Sequence, residues 1–78
     1  MNKEYLERFL SNQLAYMRNL HGSKDCLERL ASQAFGACSF VSDCLCADGV
    51  FDAEVDEWLT NLWQNFRGQV LKEFGLEI

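Results

Sequence analysis

Seventy-eight residues, 49% hydrophobic and 24% charged, suit one small domain and are too apolar for a disordered chain. A formal net charge of −5 and a pI near 4.6 argue against direct nucleic-acid binding, which needs a basic face. The chain contains no proline, and the charges in its opening MNKEYLERFL leave no apolar core for a secretion signal. The expectation is therefore a soluble, cytoplasmic, helical protein whose four cysteines are thiols.

The first helix is predicted over residues 3–20, with Asn2 as its N-cap. Leu6, Phe9, Leu10, Tyr16, Met17 and Leu20 share an apolar face at helical spacing, and Gln13 sits inside that stripe. A buried amide must be satisfied, so Gln13 is expected to find a hydrogen-bond partner across the bundle. A register-setting role is the sharper alternative. His21, the only histidine, falls where a positive side chain complements the helix dipole. Gly22 suits a left-handed helix end, Ser23 suits an N-cap, and Asp25 favours the following first turn. A link this short folds the second helix back beside the first.

The second helix is predicted over residues 24–47 and organises the rest. Leu27, Leu30, Ala31, Ala34, Cys38, Val41 and Leu45 form one stripe. Cys26, Ala37, Phe40 and Cys44 widen it on one flank and Phe35 on the other, so more than one neighbour is expected. Residues 30–42 carry no charge, but that run is too short to span a bilayer. The outward strip Ser32, Gly36, Ser39 consists of small residues, bordered by Gln33 and Phe40, and is a candidate surface for self-association into a homodimer. Gly49 is the expected left-handed residue after this helix, with Leu45 and Val50 as the apolar pair of a Schellman motif.

The third helix is predicted over residues 53–74, capped by Asp52, with Glu54, Asp56 and Glu57 in its first turns. Val55, Leu59, Leu62, Trp63, Phe66 and Val70 form its stripe, and Trp58 lies on the flank. Gly75 closes it, with Leu71 and Leu76 predicted as a second Schellman pair. Matched lengths and short links predict an all-α, antiparallel up-down-up three-helix bundle, a single domain over residues 1–78.

No catalytic, cofactor or metal residues are predicted. The spacing C-x11-C-x5-C-x-C lacks the close pairs of a zinc site, and Cys38 faces the core, so the cysteines read as small apolar residues. A calcium-loop alignment of DCLCADGVFDAE on Gly49 puts Cys44, Cys46 and Val55 where calcium needs oxygen ligands. The turn itself, Ala47-Asp48-Gly49 leading into an acidic helix, resembles turns in small all-helical TerB-like domains. The likeness covers about a dozen residues that helix capping also accounts for, and no family follows from it.

Between Leu30 and Phe66 there is no Lys, Arg or His, while Asp43, Asp48, Asp52, Glu54, Asp56 and Glu57 gather at the corner between the second and third helices. Helix-dipole complementation explains part of this acidic pole; docking of a basic protein partner is the functional expectation. Phe40 and Trp58, with Tyr5 and Tyr16, are flank aromatics of the kind that anchor interfaces. The expectation is a small non-enzymatic regulator or inhibitor that acts through protein–protein interaction, without direct nucleic-acid or membrane binding. Two alternatives stand beside it. One is an acidic inhibitor filling the nucleic-acid site of a defence enzyme, as small phage-encoded counter-defence proteins do. The other is a cysteine-based redox or metal sensor.

Overall fold

The computed structural model describes residues 3–20 and 22–78. The predicted roles of Asn2 and His21 lie outside the described residues. Three helices follow in order: α1 (Lys3–Asn19), α2 (Lys24–Ala47) and α3 (Ala53–Phe74). Side-chain bonds fix their directions. Gln13, midway along α1, reaches Leu30 and Gln33 of α2. Trp58 near the start of α3 bonds Glu7 near the start of α1, and Glu73 at the end of α3 bonds Arg18 at the end of α1. So α1 and α3 run parallel, α2 runs against both, and the bundle measures 41 × 18 × 17 Å.

The helix ends follow from local chemistry. Asp52 accepts a hydrogen bond from the Val55 backbone N–H at 2.8 Å, the N-cap bond of α3. Gly49, at φ 73°, closes α2 with both bonds of a Schellman motif: Val50 N–H to Leu45 C=O and Gly49 N–H to Cys46 C=O, each 3.1 Å. The end of α3 differs from expectation. Gly75 makes only the single left-handed bond, its N–H to the Leu71 C=O at 2.9 Å. Leu76 is buried in the core, while Leu71 stays exposed. Ser23 holds the N-cap position of α2 without a capping bond, its hydroxyl lying 3.6 Å from Cys26 Sγ.

The core draws on all three helices: Leu6, Leu10, Leu14 and Met17 of α1; Ala31, Ala34, Cys38 and Val41 of α2; Leu59, Phe66 and Val70 of α3. Two expected members of the α1 stripe are displaced. Tyr16 and Leu20 are largely exposed, and Leu14 is buried instead. Gln13 turns the centre of α1 toward α2, and Leu14 covers the flank beside Leu62 and Phe66 of α3. Tyr16 is left at the outer edge of the face, and Leu20 falls just past the end of α1.

Candidate functional site

All six carboxylates of the acidic pole are exposed and lie at the end of the bundle where α2 stops and α3 starts. Only Asp52 has a structural bond, its cap on Val55. Glu54 and Asp56 fall in the first turn of α3, where acids complement the dipole. Asp43 lies near the C-terminus of α2, whose last turn holds no base, so its charge opposes the local dipole. The fold also brings the start of α1 to this end, which the stretch between residues 30 and 66 could not reveal. Lys3 Nζ sits 5.3 Å from the Trp58 ring centroid, a cation–π contact.

The two predicted anchor aromatics are placed differently. Trp58 is half-buried at the α1–α3 seam, its indole N–H donating to Glu7 Oε1 at 3.2 Å. Phe40 is 64% exposed, on the flank of α2 away from the one that carries Phe35. They do not form one patch. Tyr5 and Tyr16 are exposed on α1. In the strip Ser32, Gly36, Ser39 all three residues are exposed, and a Cβ built on Gly36 would meet nothing within 4 Å.

Sequence reasoning missed a groove between α2 and α3. The Phe35 and Trp63 rings meet edge-on, centroids 5.3 Å apart at 70°, and Trp63 stacks on Phe66 at 5.7 Å. Depressions of about 330 Å³ and 320 Å³ flank this pair. The signal was present as Phe35, the lone aromatic on its flank of α2, opposite Trp63 of α3.

The thiols are dispersed. Cys38 is buried, and burial pushes its thiol pKa up, toward the unreactive protonated form. Cys44 is half-buried, and Cys26 and Cys46 are exposed. Twenty residues of helix set Cys26 about 30 Å from Cys46, beyond any shared ligand. Among the described residues no group of three His, Cys, Asp or Glu is placed to hold a metal ion. At the opposite end from the pole, Arg18 Nε and Nη2 donate to the two Glu73 carboxylate oxygens at 2.7 and 2.8 Å. That hydrogen bonding holds the Glu73 carboxyl below its ordinary range, against the opposing effect of desolvation, with the Arg18 and Lys72 charges adding to it.

By length and composition alone α2 is long and apolar enough to cross a membrane, a test that the core helix of a soluble protein also passes. In this fold its stripe packs on α1 and α3. Compared with family models, curated proteins and solved structures, the chain matches none.

Proposed function

We propose that this protein is a non-enzymatic interaction module whose acidic pole docks a basic protein partner, as a cytoplasmic regulator or inhibitor. The observation that carries this reading is the surplus of exposed carboxylates at one corner. One cap and two first-turn acids serve α3, whereas Asp43, Asp48 and Glu57 go beyond that need, and Asp43 works against α2. A focused negative potential speeds encounter with a cationic surface. The same charge opposes binding to nucleic acid and to anionic lipid.

Affinity capture from the native host should yield a basic protein whose binding weakens steeply as salt rises, because rim charges act mainly on encounter and are screened. A salt-independent affinity would overturn the reading. Inhibition at the nucleic-acid site of a basic defence enzyme is its narrower form, and competition with that enzyme's nucleic acid tests it directly.

A further inference from the structure

The groove between α2 and α3 has a composition of its own. Phe35, 56% exposed, and Trp63 meet edge-on at its centre, between the two shallow depressions. Ser32 edges one depression; Ser39, Ser42 and Thr60 edge the other. Small hydroxylated walls let the backbone of another helix approach closely. Among the described residues Glu28 is the one charged side chain lining the two depressions, and it lies 3.9 Å from Lys24 Nζ in an exposed ion pair. Asp43 lies one turn beyond Ser39, and Asp56 lies one turn before Thr60, so carboxylates also flank the end nearest the pole. Arg67 lines the next depression, past Gln64, and ends the base-free stretch.

We infer that this groove receives an amphipathic, cationic helix of the partner, with its apolar face on Phe35 and Trp63 and its Lys or Arg residues toward Glu28, Asp43 and Asp56. The inference rests on the reading that the partner is basic. From Glu28 to Asp43 is about 22 Å of helix, so the docked segment is about four turns long. Helix-in-groove recognition takes apolar anchors at i, i+3, i+4 and i+7, and a seam between two antiparallel helices accepts that spacing. A second copy of this chain is the poorer fit, because it brings its own net charge of −5.

The test uses a synthetic leucine–lysine peptide of about 15 residues, with leucines on one helical face, and a scrambled peptide of the same composition. Titration into 15N-labelled protein should shift the amides of Ser32, Phe35, Ser39 and Thr60 and the Trp63 indole, with the scrambled peptide at least tenfold weaker. Ser39→Arg should weaken the facial peptide at least tenfold. Equal binding of both peptides, lost in the Asp48→Lys/Glu57→Lys variant, overturns the groove and keeps the acidic pole. Groove binding that falls with salt but is indifferent to that double change keeps the inference and removes the pole reading, whereas groove binding indifferent to salt overturns the cationic helix. Groove shifts that grow with protein concentration alone assign it to a second copy and overturn the inference.

Discussion

Gln13 of α1 donates from Nε2 to the Leu30 carbonyl oxygen of α2 at 3.1 Å while only 6% exposed. The same amide nitrogen lies 3.3 Å from Gln33 Oε1 at the edge of the seam. The amide thus ties α1 to α2 at its midpoint without leaving a buried polar atom unpartnered.

Gln13→Met tests what that bond contributes. The thioether matches the lost volume, Leu30 keeps the hydrogen bond available within its helix, and Gln33 faces water. The variant should stay within about 1.5 kcal/mol of wild type and unfold cooperatively, by thermal circular dichroism. Retained helicity with dye binding and no sharp transition would instead assign Gln13 a register-setting role. Gln13→Ala should cost more than Gln13→Met, because it adds a cavity to the lost bond.

The thiols offer a graded test of burial. Cys26 and Cys46 should react first with a thiol reagent, Cys44 next, and Cys38 only on unfolding, followed by mass spectrometry of the native protein. Replacing Cys26, Cys44 and Cys46 with Ala should leave helicity unchanged. Cys38→Ser should cost about 1–3 kcal/mol by placing a hydroxyl in the core. Stoichiometric zinc uptake that is lost in the triple variant would restore the sensor alternative.

Much of the fold was legible because its signals are local. Asp52, Gly49 and Gly75 stop and start helices through bonds spanning a few residues, and the stripes of α2 and α3 repeat at helical spacing. What failed depended on where neighbours sit. The expected α1 stripe omits Leu14, which is buried beside α3, and the end of α3 makes a single left-handed bond where a Schellman pair is expected. The candidate site was legible as charge and illegible as shape. The acidic pole follows from sequence order, but the contact of Lys3 with Trp58 and the depressions beside Phe35 need three helices in place.

The Arg18–Glu73 pair ties stability to pH in a definite direction. The Glu73 carboxyl titrates below its ordinary value of 4.5, so its contribution is present above that value and is lost as pH falls through the lowered one. Arg18→Gln should return the Glu73 pKa toward 4.5, read from carboxyl 13C shifts. The stability gap between wild type and this variant should be constant near neutrality and close in acid. A gap that widens on acidification would contradict the assignment.

Gly36 tests self-association. A single chain places nothing within 4 Å of a Cβ there, and a helical glycine is costly, so Gly36→Ala should stabilise the chain by about 0.5–1 kcal/mol. If copies pair along Ser32, Gly36 and Ser39, Gly36→Arg should give a folded protein that sediments as a monomer. Wild type sedimenting as a monomer at high micromolar concentration would end that proposal.

The acidic pole carries the functional reading, and Asp43 with Glu57 are the residues by which to test it. Both are exposed, and neither makes the cap bond, which belongs to Asp52. Asp43→Lys places a positive charge near the C-terminus of α2, where the dipole favours it and where no base now lies in the last turn. Glu57→Lys leaves Glu54 and Asp56 in the first turn of α3. The double variant should therefore be as stable as wild type or slightly more so, by thermal denaturation. Its local charge changes by four units, from two acids to two bases, in the region expected to steer a cationic partner. Affinity for that partner should fall at least about tenfold, roughly 1.4 kcal/mol, with a shallower salt dependence. Unchanged affinity in this folded variant would reduce the pole to solvated surface. The exposed aromatics Phe35 and Phe40, on opposite flanks of α2, would then be the residues to replace next.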